Sequence, residues 1–227
     1  MATHRATLPV RRSVSAGAGP KKKPPASAPA RRVPAVETIA CAASRSQQGH
    51  STNLDAFHVE RGERPWVAVA DGEGEAPGPA KRALQLLAER IAAAGAEAAP
   101  DWPRWREEIA AAVPGGAGCP WAAALLDSTG TVIGAAGPGI RAAVLMPGET
   151  ACRWLADGGK FQTFAQPLLP GEVCLLFTDG AWRPLEAAWE QVLAAIANVW
   201  SWPAALLDLA GRAGRPDDMT VALLRRG

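Results

Sequence analysis

Val173-Cys174-Leu175-Leu176-Phe177-Thr178-Asp179-Gly180 is the stretch whose reading decides the fold. An apolar run of this length, closed by a turn, reads as a strand buried on both faces, and the aspartate at its end puts a charge at the rim of a sheet. The pattern recurs in Trp66-Val67-Ala68-Val69-Ala70 before Asp71-Gly72. Two further aspartates stand ahead of strand-like segments: Asp55 before Ala56-Phe57-His58-Val59, and Asp217-Asp218 before Met219 to Leu224. In an antiparallel sheet the start of one strand lies beside the end of its neighbour. Asp55, Asp71, Asp179 and Asp217 are therefore able to converge on one rim, where a cation makes so much negative charge tolerable.

For the first pair the convergence can be counted. With Arg61-Gly62-Glu63-Arg64 as the hairpin loop, Glu60 pairs with Pro65 and Asp55 falls opposite Ala70, next to Asp71. Asp179 and Asp217 are far apart in sequence, and their meeting is an assumption about the fold that spacing does not supply.

Outward from these segments, Glu37 to Ala43 reads as a strand, followed by a polar loop from Ser44 to Thr52. Apolar residues at 80, 83, 84, 87, 91 and 94 mark an amphipathic helix ended by Gly95, and a second helix runs from the cap Asp101 to Val113 with Trp102, Trp105 and Ile109 inward. Trp121–Leu126, Val132–Ala136, Ile140–Leu145 and Ala151–Leu155, divided by Gly- and Pro-containing turns, fit an antiparallel meander. Apolar positions from Leu185 to Val199 outline a third helix, and Pro203 opens a fourth. Strands in two groups and helices in two pairs predict an α+β fold of packed sheets covered outside by helices.

The chain has 227 residues and a net charge of +2, but the charge is unevenly placed. Residues 1–35 hold eight of the 24 basic residues, six prolines and no acid, a composition that cannot build a core. Residues 36–227 form the expected folded domain, with 16 basic against 22 acidic residues. The basic tail suits a solvated tether or contact with an acidic partner. It lacks the aromatic residues that stack on bases, so nucleic acid is not the expected ligand. With no apolar run of membrane-spanning length and no apolar leader segment, the expected location is the cytoplasm. Cys41, Cys119, Cys152 and Cys174 have neither paired spacing nor histidine partners, and read as buried free thiols. Of the nine tryptophans, Trp102, Trp105, Trp189 and Trp200 are predicted to pack helices on a sheet, and Trp182 is a candidate substrate contact.

Taken in order, Gly49-His50-Ser51-Thr52-Asn53-Leu54-Asp55-Ala56, Val69-Ala70-Asp71-Gly72-Glu73-Gly74, Phe177-Thr178-Asp179-Gly180 and Asp217-Asp218-Met219-Thr220-Val221 resemble the motifs of the PPM-type (type 2C) metal-dependent serine/threonine phosphatases, over residues 37–227. The resemblance implies a four-layer α-β-β-α sandwich of two antiparallel sheets flanked by helices, with a two-metal site at one end. It implies that Asp71 bridges both ions, that the Gly72 carbonyl binds one, that Asp179 and Asp217, or the adjacent Asp218 in its stead, complete the first site, and that Asp55 supports the second. Oxygen ligands suit Mg²⁺ or Mn²⁺. The implied activity is hydrolysis of phosphoserine or phosphothreonine in a phosphoprotein partner by a water activated between ions roughly 3.5 to 4 Å apart.

Several positions depart from the family. Leu54 stands where an acidic residue precedes the first aspartate, and His50 replaces the phosphate-gripping arginine; an imidazole cannot hold a phosphate bidentately. Glu73 is a candidate general acid or metal ligand, or else a solvated loop residue like Glu75. Pro138 occupies the place of an aspartate that assists a third metal, so no third site is expected. The alternative to an enzyme is a pseudophosphatase that binds or scaffolds a phosphoprotein without turnover.

Overall fold

A computed structural model describes residues 38–47, 52–72, 78–95, 98–113, 119–185, 189–212 and 217–227. Two antiparallel sheets stack face to face. The first has the order β1 (Ile39–Arg45), β10 (Met219–Arg225), β9 (Val173–Phe177), β6 (Arg141–Leu145), β7 (Cys152–Asp157). The second has the order β2 (Ala56–Glu60), β3 (Trp66–Ala70), β4 (Trp121–Leu126), β5 (Thr131–Ala136), β8 (Gln162–Pro167). Helices α1 (Gly78–Ala94) and α2 (Trp102–Ala112) cover the second sheet, while α3 (Asp179–Trp182), α4 (Trp189–Ala194) and α5 (Trp202–Arg212) cover the first. The result is the four-layer α-β-β-α sandwich that the motif order implied.

The layering explains why antiparallel strands read as unbroken apolar runs. In β9, Cys174 and Leu176 point between the sheets, whereas Val173, Leu175 and Phe177 point toward the helices. In β3, Val67 and Val69 take the inner side, and Trp66, Ala68 and Ala70 the helical side. Each strand is dry on both faces, so the period-two alternation of a half-solvated sheet disappears. Burying a Leu or Val in such a layer is worth about 1.5–3 kcal/mol.

Local chemistry sets the ends of the first two helices. The Asp101 carboxylate accepts from the Arg104 N–H at 3.3 Å to cap α2, with Pro103 in its first turn. Gly95, at φ 75°, ends α1 in the left-handed conformation that a side chain disfavours.

Several sequence expectations are corrected. The hairpin pairs Glu60 with Trp66 and Ala56 with Ala70, one residue out from the counted register. Pro65 has no N–H for the ladder, and its carbonyl instead accepts from Leu126 N, while Trp66 stacks on His58 with centroids 4.1 Å apart. The shift carries Asp55 from a place opposite Ala70 to one opposite Asp71.

The predicted meander is split between the sheets: β4 and β5 pair in one, β6 and β7 in the other, and the chain crosses at residues 137–140. The strand β8, whose residues alternate between half-buried and exposed, completes the pairing of β5 and was not foreseen. In place of the third helix expected from Leu185 to Val199, the described residues form only the short α4, with 3₁₀ turns at Arg183–Leu185 and Val199–Ser201 at either end of the span. There the apolar spacing served a chain that turns repeatedly against one sheet.

Trp200 is 39% exposed, with the Arg61 guanidinium 5.1 Å from its ring, whereas Trp102, Trp105 and Trp189 are buried as expected. None of the four cysteines forms a disulfide, and Cys119 and Cys152 are only partly buried. Among the described residues no helix is long and apolar enough to cross a membrane.

Candidate metal and phosphate site

At one end of the sandwich the four aspartate-bearing segments are tied together by hydrogen bonds. Thr178, the last buried residue before Asp179, donates its hydroxyl to Asp55 Oδ2 at 2.8 Å and accepts from the Thr220 N–H at 2.9 Å. The second carboxylate oxygen of Asp55 accepts from Gly72 N at 3.3 Å. Asp218 closes the ring, accepting from Leu54 N and from Gln47 N, both at 2.6 Å. Around this core, Asn53 orients Asp55 by accepting from its N–H and donates to Ser44, whose hydroxyl meets that of Thr220 at 2.7 Å. The beginnings of β2 and β10 are thereby fastened to the ends of β3 and β9.

Two glycines are required by close approach. A Cβ on Gly180 would lie 2.0 Å from the Asp218 carbonyl oxygen and 3.0 Å from Asp217 Cβ. The turn after Asp179 thus crosses directly over Asp217-Asp218, which supplies the meeting that spacing could not. A Cβ on Gly72 would lie 2.1 Å from the Leu54 carbonyl oxygen, so the chain after Asp71 passes over the chain before Asp55 with room for hydrogen alone.

The charges feel this crowding. Burial pushes the Asp217 carboxyl above its usual range, and the neighbouring charges of Asp179 and Asp218 push the same way, against the backbone N–H of Asp218 and the Arg183 charge. Asp55, 5% exposed, is raised to about 6, mainly by burial and in spite of its bonds to Thr178 and Gly72. Arg183 Nη2 lies 2.9 Å from Asp179 Oδ2.

Asp71 follows β3 of the second sheet, whereas Asp179 follows β9 of the first. The Asp71 N–H donates to the Pro120 carbonyl, its carbonyl accepts from the Cys119 thiol at 3.4 Å, and its Oδ2 is 3.8 Å from where a Cβ of Gly139 would be. Gly139, one residue beyond Pro138, is thus the position that faces Asp71. Trp182 Nε1 donates to the Gly139 carbonyl at 2.8 Å, and the Arg141 guanidinium lies 3.6 Å from the Trp182 ring centroid. A cavity of about 180 Å³ behind Trp182 is lined by Arg141, Trp154, Phe177, Trp189 and Glu190 among others.

The structure thus brings Asp55 beside Gly72 and Asp179 beside Asp217. His50 and Glu73 lie outside the described residues. Missed from the sequence were Thr178, Thr220 and Arg183, and the sequence left the choice between Asp217 and Asp218 as ligand open. The two threonines carried a signal, since each is a hydroxyl within an otherwise apolar strand sequence and both are fully buried; a buried hydroxyl needs a partner.

In donor chemistry the rim fits a hard divalent cation: it offers carboxylates and carbonyls, and Asp217 is raised by burial and then by its acidic neighbours, a crowding of charge that a cation would relieve. As it stands, Asp179 is turned to Arg183, and among the described residues no group of three or more His, Cys, Asp or Glu is gathered to hold a metal ion.

No protein-family model matches the chain, and no curated protein matches it. Solved structures do. The Mycobacterium tuberculosis serine/threonine phosphatase PstP/Ppp superposes with a TM-score of 0.65 at 20% identity, covering 83% of this chain and 98% of that one. RsbX in complex with magnesium gives 0.65 at 15%, covering 84% and 96%. PppA of Pseudomonas aeruginosa, described as a key regulatory component of T6SS, gives 0.65 at 18%, covering 83% and 97%. At these identities the likeness is one of fold: the chain has the architecture of the compact bacterial PP2C/PPM-type phosphatases over nearly their whole length.

Proposed function

We propose that, on this phosphatase fold, the chain hydrolyses phosphoserine or phosphothreonine in a protein substrate, in the cytoplasm, with two Mg²⁺ or Mn²⁺ ions at the aspartate rim. The observation that carries the reading is the crossing of Gly180 over Asp217-Asp218, which brings two carboxylates from separate strand ends against each other. Mutual repulsion at such a spot costs stability unless a cation compensates it.

In this reading Asp179, Asp217 and Asp71, with the Gly72 carbonyl, hold the ions, and Asp218 is the strut beneath them because both its oxygens serve backbone N–H groups. Asp55 fixes the Asp71-Gly72 turn and lends its charge to the second ion. His50 and Glu73 are assigned to the substrate side, as phosphate contact and proton donor. When bound, the ions supply the Lewis acidity that activates water toward a phosphate ester. Trp182, fixed by Gly139 and Arg141 beside the rim, offers an apolar wall to the residue carrying the phosphate. The basic segment 1–35 is assigned to contact with an acidic partner.

The second reading is a pseudophosphatase, favoured by the turning of both Asp55 oxygens toward Thr178 and Gly72 and by the ion pair that engages Asp179. The two readings separate on one measurement: Mn²⁺- and Mg²⁺-dependent hydrolysis of a phosphothreonine peptide by the full chain and by Asp179→Asn. Metal-dependent turnover in the wild type, reduced at least ~100-fold in the variant, is expected. No turnover at any metal concentration, with metal binding intact by calorimetry, leaves the pseudophosphatase. Turnover unaffected by the substitution removes Asp179 from the site.

A further inference from the structure

The acidic rim contains a cation of its own. Arg183 follows Asp179 by four residues, at the start of the 3₁₀ turn that continues α3. Its Nη2 is 2.9 Å from Asp179 Oδ2, and its charge also bears on the Asp217 carboxyl, against the push of Asp179 and Asp218. The guanidinium is therefore paired with one of the two carboxylates that the Gly180 crossing brings together. It is near enough to the Trp182 ring, at 5.7 Å from the centroid, to be steered by it, and Trp182 is itself held by its bond to Gly139.

We propose that Arg183 is the built-in counter-cation of this rim, that a divalent ion taking Asp179 and Asp217 displaces its guanidinium, and that the displaced guanidinium then binds the phosphate of the substrate. The inference rests on the phosphatase reading and names a residue which that reading did not use. A divalent ion and a guanidinium cannot share one carboxylate edge without strong like-charge repulsion, so one must move. The ion is confined to the carboxylates, whereas Arg183 is half-exposed and on a long side chain that swings without backbone movement. Its planar fork matches a phosphate as well as a carboxylate. The displaced group remains within an arginine's reach of the rim where the phosphate is to be held, and it supplies the bidentate grip that an imidazole at position 50 does not.

The geometry also explains why Asp71, Asp179 and Asp217 are not gathered as a ready cluster: Asp179 is committed to Arg183 until an ion competes for it.

Calorimetric titration of Mn²⁺ into the full chain, followed by inorganic phosphate into the Mn²⁺-saturated protein, tests both halves. Arg183→Ala should bind Mn²⁺ roughly tenfold more tightly than wild type, because the competing charge is gone. It should then bind phosphate roughly tenfold more weakly, because the fork is gone. Arg183→Lys keeps the charge and loses the fork, so its Mn²⁺ affinity should stay near that of wild type while its phosphate affinity falls. Equal Mn²⁺ affinities in wild type and Arg183→Ala would overturn the displacement. Equal phosphate affinities would overturn the hand-over. Failure of both wild type and Arg183→Ala to bind Mn²⁺ would overturn the phosphatase reading itself, a result distinct from the other two.

Discussion

Thr178→Val isolates one hydroxyl at the centre of the rim, with nearly the same side-chain volume, and its effect should depend on pH. The hydroxyl accepts from the Thr220 N–H at 2.9 Å and donates to Asp55 Oδ2 at 2.8 Å, in a place with no solvent exposure. Leaving the Thr220 N–H without this partner costs about 1–2 kcal/mol, and removing a bond to an ionised carboxylate costs about 1.5–3 kcal/mol more. The second part exists only while Asp55 is charged.

An unfolded Asp55 titrates near 3.8 and the folded one near 6. Between those values the folded chain keeps a proton that the unfolded chain has lost. Stability from this group therefore falls as pH rises through that window, with none of the penalty below about pH 4 and all of it above about pH 6. At roughly 1.4 kcal/mol per tenfold change in proton affinity, the wild-type penalty is about 3 kcal/mol. The valine variant raises the folded value further and enlarges the penalty.

Urea denaturation followed by tryptophan fluorescence, with a chelator present, should therefore give a destabilisation of about 1–2 kcal/mol at pH 5 and about 2.5–5 kcal/mol at pH 8. A loss below about 0.5 kcal/mol, or one equal at the two pH values, would refute the claim that Thr178 shelters a buried charge.

Two further outcomes are expected. Asp218→Asn places an amide NH₂ against one of the two backbone N–H groups that Asp218 now accepts, from Gln47 and Leu54; denaturation should show a loss of about 1–3 kcal/mol. Calorimetry should show a much smaller fall in Mn²⁺ affinity than for Asp179→Asn, and the reverse order would make Asp218 the ligand. Thiol labelling at pH 8 should proceed first at Cys119 and last at Cys174, because Cys174 is fully buried with its thiol pushed up to about 12 by desolvation and Cys119 is only partly covered. Cys174 reacting as fast as Cys119 would mean that the two-sheet core opens on the labelling timescale.

Much of this architecture was legible because its cause is local and repeated. Strands dry on both faces must be apolar at every position, so β3, β4, β9 and β10 stood out as runs, and Asp-Gly or Asp-Asp marked the rims of β3, β9 and β10. The cap Asp101 and the stop Gly95 fixed helix ends through bonds within a few residues. Less legible was anything decided by partners distant in sequence. The strand β8 carries no apolar run, since its pairing with β5 is made by backbone and one of its faces is wet. The hairpin register depended on what Trp66 stacks upon and on where the Pro65 carbonyl finds a donor in β4.

The sequence by itself determined that four aspartates stand at strand rims, because strand ends are written in the alternation of apolar runs and turn residues. Only the tertiary structure decided what each carboxylate does there. Asp217 and Asp218 are adjacent and chemically identical, yet one is pressed against Asp179 and the other is spent on two backbone N–H groups, since Gly180 crosses above them and β2 begins beside them. Arg183 likewise is an ordinary basic residue in the sequence. It becomes the rim's counter-charge because the chain turns back after β9 and delivers its guanidinium to Asp179. A carboxylate's role follows from its neighbours' charge and its distance from water, and those are set by chain crossings that residue order does not display.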